Sequence, residues 1–425
     1  MILLISLIFI LGYAAITLEH SIKLNKAASA MLTGVLCWTV YALFSTDTHH
    51  VNEHLTSHLG DVAGILFFLL GAMTIVELID AHDGFQIIID KIQTTNKSKL
   101  VWSIAFITFF LSAVLDNLTT SIVMVSLLRK LIDEKMERWM FAGLIIIAAN
   151  AGGAWSPIGD VTTTMLWIGE QVTTWNIMIK TFIPSLVCMI IPTYFIARQM
   201  KGELKKPVVT DVANSITSTR FERNIVFFFG VGMLLFVPVF KTITHLPPFM
   251  GILFGLSVLW IVTEIIHHEK DEAEKGVLSV NHALRKIDTP SVLFFLGILL
   301  SIAALEVTGI LTDAATFMDN AVGNINIITM LIGVFSAIVD NVPLVAAAQG
   351  MYSMDIYPTD HNFWEFLAYC AGTGGSCLII GSAAGVAAMG IEKINFFWYI
   401  KKISLLALVG YVAGAAVYLL QNQLF

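Results

Sequence analysis

The sequence predicts an all-α polytopic membrane protein, with about ten transmembrane helices and two opposed re-entrant hairpins in two repeats of inverted topology. Three observations carry this. Only 13% of the 425 residues are charged and 57% are hydrophobic, whereas a soluble domain carries about a quarter charged residues. The apolar residues come in runs of roughly twenty, the length that crosses a hydrocarbon core of about 30 Å as a helix. A polar motif that interrupts one run, Asp116-Asn117, returns in the second half as Asp340-Asn341. In lipid every backbone group must find a partner within the chain, and runs this long without alternation do so as helices rather than barrel strands.

In chain order the runs fall near 1–18, 27–44, 62–79, 100–128, 139–168, 181–198, 224–240, 249–266, 291–310, 327–354, 363–391 and 403–421. The first lacks a basic leader and a small-residue cleavage site, so it reads as a span rather than a signal peptide. Runs 100–128 and 327–354 are split by the Asp-Asn motifs and read as hairpins. Runs 139–168 and 363–391 are broken helices: Gly152, Gly153, Pro157 and Gly159 fall within eight residues of the first, and each weakens a helix. Stretches 80–99 and 311–326 are too polar to span, but their apolar residues recur at helical spacing, which predicts interfacial helices. Residues 201–223, with Pro207 and a Ser/Thr/Asn-rich passage, form a linker between a first repeat (1–200) and a second (224–425).

Basic residues collect on cytoplasmic loops. With both split runs read as hairpins from opposite faces, Lys23, Lys26, Lys91, Lys97, Lys99, Arg129, Lys130, Lys135 and Arg138 share one side with the middle loop. Lys270, Lys275, Arg285, Lys286, Lys393, Lys401 and Lys402 join them. Of 24 basic residues only Lys180 and Lys241 fall outside. The middle loop is therefore cytoplasmic and both termini lie outside.

The halves match at three places in the same order. Leu66-Phe67-Phe68-Leu69 pairs with Leu293-Phe294-Phe295-Leu296, Ser112–Asn117 with Ser336–Asn341, and Gly152, Gly153, Ile158 and Gly159 with Gly374, Gly375, Ile380 and Gly381. Inverted repeats with interrupted helices are the build of secondary transporters, whose site lies near the midplane between the repeats.

The polar residues at the breaks carry the chemistry. An unwound stretch in a membrane is tolerated only inside protein or a watery cavity, and its freed carbonyls are hard oxygen ligands. Asn150, Ser156, Asp160, Thr162 and Thr163 add side-chain oxygens. A carboxylate at membrane depth is costly unless paired or hydrated, so Asp116 is functional by default. With Asn117, Thr119 and Thr120 it forms the first tip, facing the break at Asn150–Asp160. Two carboxylates, amides and hydroxyls around one cavity make a site for an alkali cation that protons can also occupy. Asp116 also suits the cap of the returning helix. The second half is poorer: Asp340, Asn341, Thr373, Ser376 and Ser382 form its site, where Gly372 aligns with Asn150 and Ser382 with Asp160.

Other residues carry less. Cys37, Cys188, Cys370 and Cys377 sit inside apolar runs without metal-ligand spacing and read as packing residues. His49, His50, His54 and His58 lie in an exterior loop, as a zinc site or a solvated helix that responds to pH. Glu77 and Glu306, late in matching spans, are proton-path groups or interface residues.

Ser112-Ala-Val-Leu-Asp116-Asn117-Leu-Thr119-Thr120, followed by Asn150-Ala-Gly-Gly153-Ala-Trp155-Ser156-Pro157-Ile-Gly159-Asp160-Val-Thr-Thr163, resembles the NhaD sodium/proton antiporters. These belong to the ion transporter superfamily, with arsenite permeases and sodium-coupled dicarboxylate and citrate carriers. The resemblance covers essentially the whole chain. It implies a homodimer in a plasma membrane of the bacterial inner-membrane kind, with a scaffold and a mobile domain working as an elevator. It also implies Na⁺ or Li⁺ held by Asp116, Asn117, Asn150 and Asp160, with Na⁺ and H⁺ as transported ions and no cofactor, nucleic acid or enzymatic step. Related dicarboxylate carriers have a Ser-Asn-Thr tip where this sequence has Asp-Asn, which favours a cation that exchanges with protons.

Three other readings compete with antiport. Sodium-coupled carboxylate uptake shares the architecture, and helix N-termini at the tips suit anions. Its pocket calls for a basic residue, and on this reading no Lys or Arg lies at membrane depth. Arsenite efflux is the next. A channel or an intramembrane enzyme, with Asp116 and Asp340 as an aspartyl dyad, requires tips that the repeat assigns to separate positions.

Overall fold

The computed structural model describes residues 1–45, 47–92, 94–204 and 218–424. Its main helices, numbered here in chain order, are α1 (Ile2–Thr17), α2 (Lys26–Phe44), α3 (Thr48–Ala81), α4 (Lys97–Leu115), α5 (Asn117–Leu131), α6 (Lys135–Gly153), α7 (Val161–Ile168) and α8 (Thr174–Gln199). After the middle loop come α9 (Arg220–Thr244), α10 (Pro248–Ile266), α11 (Thr289–Val307), α12 (Ile310–Val322), α13 (Ile325–Phe335), α14 (Asn341–Met351), α15 (Asn362–Gly374), α16 (Ala383–Glu392) and α17 (Leu405–Leu424). Helix starts follow the local chemistry. The side chains of Asn25, Asp47, Asn96, Asp116, Asp160, Thr219, Asp288, Asn324, Asp340 and Ser382 each accept a backbone N–H of the helix that follows, which satisfies donors that the helix cannot.

Among the described residues, eight helices are long and apolar enough to cross a membrane singly, α4 among them. α4 instead turns back. Lys97 at its start pairs with Glu137 at the start of α6, and Arg138 beside it donates to the carbonyls of Ile132 and Asp133 just past α5. The start of α4 and the end of α5 therefore lie at one face. The second hairpin closes likewise: the Tyr352 hydroxyl just past α14 donates to Asp319, in the last turn of α12, which leads into α13, at 3.4 Å. The long α3 shows that these faces are opposite. Glu77 and Asp80 near its C-terminal end share a cavity with Ser126 and Leu127 of α5, whereas His58 and Asp61 near its other end share one with Gln349 of α14. Seven long helices without α4, the shorter α1 and the broken pairs α6–α7 and α15–α16 then give ten spans around two hairpins.

Residues shared between the halves make the same contacts in each. The Ser112 hydroxyl donates to the Ala149 carbonyl at 2.6 Å and that of Ser336 to Ala371 at 2.8 Å. A Cβ on Gly152 would meet the Phe109 carbonyl oxygen at 2.2 Å, and one on Gly374 the Gly333 oxygen at 1.9 Å. Only glycine lets α4 lie this close to α6, and α13 to α15. The pair α2 and α11 cross through Gly34 and Gly297 in the same manner, the small-residue contact by which helices associate in lipid.

Two local expectations change and a third holds. The histidines are not in a separate loop: α3 begins at Thr48, so His49, His50, His54 and His58 ride on its first turns. Of stretch 80–99, the ends belong to α3 (to Ala81) and α4 (from Lys97), and among the described residues between them only Gln86–Ile89 is helical. Asp83, with φ 55°, turns the chain there, and the Gly84 N–H closes back onto the Ile79 carbonyl. Stretch 311–326 does form a helix, α12, which meets α13 at 113° through Gly323 and Asn324. Residues 205–217 of the linker, including Pro207, lie outside the described residues.

Candidate functional site

The interrupted hairpins and broken helices bring their polar residues to one place. Asp116 caps α5: its Oδ1 accepts the Thr119 N–H and its Oδ2 the Thr119 hydroxyl, each at 2.8 Å. Its backbone, at φ 91° and ψ 160°, lies in a region that is essentially glycine's and costs about 1–3 kcal/mol, so the surrounding packing has to hold it. The neighbouring Asn117 is buried and donates from Nδ2 to Asn150 Oδ1 at 3.0 Å.

Asn150, in the last turn of α6, donates in turn to the hydroxyls of Ser376 and Ser382, both at 2.9 Å. Asp160 ends the first break as the cap of α7 and is 2% exposed. Its Oδ1 accepts the Thr162 N–H at 3.2 Å, and its Oδ2 accepts Asn341 Nδ2 at 3.1 Å. An amide of the first half thus reaches hydroxyls of the second, and an amide of the second reaches a carboxylate of the first.

The sequence reading keeps the second tip as a site of its own. In the structure the tips meet, and Asp116, Asn117, Asp160, Asp340 and Asn341 all line one cavity of about 40 Å³. The reason is geometric: each tip faces its own helix break, and the two breaks lie side by side where Asn150 touches Ser376.

Other expected ligands also brace the backbone. The Ser156 hydroxyl donates to the Ala113 carbonyl at 2.6 Å, Thr163 to its own capping turn at 2.8 Å, and Thr373 to Tyr369 at 2.6 Å. These three hold the backbone of the breaks. Thr120 is buried with its hydroxyl unpartnered among the described residues. Among those residues no group of three or more His, Cys, Asp or Glu side chains converges as a metal centre, the histidines of α3 included.

Two larger cavities flank the site. One of about 290 Å³, lined by Glu77, Asp80, Asp288, Lys286 and Thr119, shares Met73 and Leu118 with the central cavity. Glu77 is paired there with Lys286 at 3.0 Å. The other, of about 250 Å³, is lined by His58, Asp61, Glu306 and Gln349. It stops at Ile65, Met165 and Ala346, each one helical turn from Leu69, Val161 and Val342 of the central cavity. A single layer of side chains, about one 5.4 Å turn thick, closes the site on that side.

The profile of the citrate transporter family matches residues 4–362. Sodium/proton antiporter 2 of Arabidopsis thaliana is 47% identical over 97% of this chain and 98% of its own, and sodium/proton antiporter 1 of the same plant is 49% identical over 99% and 72%. The Na⁺/H⁺ antiporter NhaD of Vibrio parahaemolyticus is 30% identical over 91% and 97%. The chain belongs to the NhaD sodium/proton antiporter family. It is a multi-pass membrane transporter, not an enzyme.

Sequence reasoning missed three features of this antiporter-family site and its surroundings. Lys26, assigned to a loop, extends from the first turn of α2 to within 3.5 Å of Asp340 Oδ2. Glu365, fully buried at the start of α15, accepts hydrogen bonds from Tyr418 at 2.8 Å and from Asn176. Glu392 accepts from Arg129 at 2.7 Å and Arg138 at 2.9 Å, tying the end of α16 to the first hairpin. The Glu392 and Lys26 pairs join residues more than 250 positions apart, which no local pattern reports. Glu365 alone had a signal, a carboxylate at the edge of an apolar run.

Proposed function

We propose that the chain exchanges Na⁺ or Li⁺ for H⁺ by an elevator-type alternating-access mechanism. One observation carries the reading: Asp116 and Asp160 line one small cavity and, among the described residues, accept hydrogen bonds only from neutral groups. Two such carboxylates bind either an alkali cation or protons, and each excludes the other. Asn117 and Asn150 supply neutral oxygens beside them. The related antiporters are named for Na⁺/H⁺ exchange, which agrees with this chemistry.

Size and charge weigh against an anionic substrate. A water needs on the order of 10–15 Å³ of such space, so about 40 Å³ admits a partly hydrated cation but not a tricarboxylate. An anion there would also meet three aspartates and one lysine already paired.

The alternating step supposes that α4–α7 and α13–α16 move together against α1–α3 and α9–α11. The basic loops then face the cytoplasm with both termini outside. The cavity beside Lys286 becomes the inner vestibule and the cavity beside His58 the outer one. The single layer at Ile65, Met165 and Ala346 is the outer gate of an inward-facing state. We take the working unit in the membrane to be a homodimer.

Proton movement in everted vesicles, recorded on adding Na⁺, Li⁺, K⁺ or citrate, tests the reading. Na⁺ and Li⁺ should release a preformed pH gradient while K⁺ and citrate do not. Apparent Na⁺ affinity should weaken as pH falls, approaching about tenfold per unit for one competing proton. Affinity that stays flat between about pH 6 and 9, the range in which perturbed carboxylates and histidines titrate, would show that cation and proton do not share a site.

A further inference from the structure

We propose that Lys26 is a resident counter-cation that occupies the cation position of the second tip, so that the duplicated site binds one transported ion and not two. The proposal rests on the exchange reading above.

Lys26 is the first residue of α2, where its charge opposes the helix dipole. Some other partner has to account for its position. Its ammonium lies 3.5 Å from Asp340 Oδ2 and 4.5 Å from the centre of the Phe294 ring. The two side chains are only 25% and 17% exposed. The contact is a charge pair without a close hydrogen bond, as a bound cation would make. The other oxygen, Oδ1, accepts the Val342 N–H at 3.4 Å.

The two tips thus differ in what faces their carboxylates. In the second half the helix matching α2 by order is α10, which starts Pro248-Phe249-Met250 and brings no cation. Asp116 accepts the N–H and hydroxyl of Thr119 in the first turn of α5, and among the described residues no cation pairs with it. Asp340 rests in ordinary backbone at φ −49°, whereas Asp116 is held at φ 91°. One tip is strained and open to an incoming cation. The other is relaxed and already carries one.

Charge in the shared cavity follows. With Asp116, Asp160 and Asp340 ionised, Lys26 leaves a net charge of −2 for Na⁺ to meet. Lys26→Gln makes this −3, Asp340→Asn makes it −1, and the double variant restores −2. Removing the lysine should tighten apparent Na⁺ affinity about tenfold, and removing the aspartate should weaken it by a similar factor, the effect of one charge roughly 10 Å away at an effective dielectric near 20. Lys26→Gln should also steepen Na⁺ saturation, because the vacated tip accepts a second cation.

The experiment measures radioactive Na⁺ binding to the purified protein alongside Na⁺-driven proton movement in proteoliposomes. Wild type, Lys26→Arg, Lys26→Gln, Asp340→Asn and the double variant are compared, with size-exclusion profiles checking folding. Opposite shifts in the single variants, with Lys26→Arg nearer wild type than Lys26→Gln and the double variant between the two singles, are expected. Single variants that shift affinity in the same direction, or a double variant as impaired as the worse single, would overturn the assignment and leave a structural ion pair. Should Lys26→Gln fail to fold, rescue of Asp340→Asn by the double variant decides. Should wild type bind Na⁺ but move no protons, the exchange reading falls, while the pattern of binding shifts still decides the role of Lys26.

Discussion

Asn150 joins the first tip to the second break, and its replacement by alanine measures how far the halves act as one site. The side chain is fully buried, accepts from Asn117 and donates to Ser376 and Ser382. Alanine leaves the Asn117 amide without an acceptor in a dry setting, a loss of about 1–3 kcal/mol, and removes two further bonds worth about 1 kcal/mol each. Ser382 keeps the Gly385 N–H at 3.2 Å, so a total of roughly 2–4 kcal/mol is reasonable. If the cation-loaded state carries that loss, apparent Na⁺ affinity falls about 30- to 700-fold. The assay is the half-saturating Na⁺ concentration for dissipating a pH gradient in proteoliposomes, with thermal scans in NaCl and in choline chloride. Asn150→Ala should need far more Na⁺ and lose most of its Na⁺-dependent thermal shift. An unchanged half-saturating concentration would refute the shared site, as would equal losses of stability with and without Na⁺.

Further outcomes follow from the same geometry. Asp116→Asn and Asp160→Asn should each abolish Na⁺-dependent proton movement in protein that still inserts, whereas Ser382→Ala, which removes no charge, should be milder; equal loss from all three in the flux assay would contradict this. Gly152→Ala and Gly374→Ala drive a Cβ into a backbone oxygen and should cost about 1–3 kcal/mol, seen as a lower melting temperature and poor yield. Cysteines introduced near Asn96 and Asn324 should label from the cytoplasm and from outside respectively; labelling of both from one side would defeat the opposed hairpins. His82, just past the end of α3, stacks on His267 with Nε2 atoms 3.2 Å apart, and burial pushes its pKa down to about 4, with His267 and Lys270 adding to this and the Leu78 carbonyl and Glu222 opposing it. The fold therefore holds a neutral ring that the unfolded chain would protonate below about 6.5, so stability present above that pH should fall by about 3 kcal/mol toward pH 4. His82→Gln should flatten this acid limb in thermal scans at pH 4–7, and a limb of unchanged slope would remove His82 from its cause.

Much of the fold was legible because lipid leaves few choices. Runs of apolar residues had to be helices, Asp116-Asn117 and Asp340-Asn341 had to interrupt them, and Gly152, Pro157 and Gly159 had to unwind one. The structure puts breaks at Ala154–Asp160 and Gly375–Ser382 and turns at both Asp-Asn pairs. What failed was local or distant. Stretch 80–99 has helical periodicity, but Asp83 and Gly84 turn the chain and leave a single short turn of helix at Gln86–Ile89. The helix expected at the four histidines forms, but their polarity hid that it runs on without a break into the span of α3. Thr163, Ser156 and Thr373 donate their hydroxyl protons to backbone carbonyls, so they brace the chain while their oxygens keep lone pairs for a cation; composition alone does not report the brace. The meeting of the tips, and Lys26 beside Asp340, depend on how the halves dock, which periodicity within each half does not report.

The duplicated frame and the unequal tips together bear on why transport should be obligatory exchange. A duplicated chain places two equivalent clefts back to back, and equivalent chemistry in both would favour two cations crossing together. Here the frame is preserved by contacts that leave no latitude, as Gly152 on Phe109 and Gly374 on Gly333 show, while the chemistry has diverged. Ser382 stands where the first half has Asp160, Gly372 stands where it has Asn150, and Asp340 faces an ammonium. The loss of the second carboxylate and amide is compensated by cross-linking, since Ser376 and Ser382 accept from Asn150 and Asn341 donates to Asp160. The second half thus serves to shape the first half's site. On the proposed mechanism, moving that site past the scaffold with Asp116 and Asp160 both ionised and unoccupied would carry two uncompensated charges through a medium of low dielectric, which is prohibitive without neutralisation. A Na⁺ or protons lower that charge, and either load permits the movement. The empty site stays where it is, so each cation carried one way has to be matched by protons carried the other.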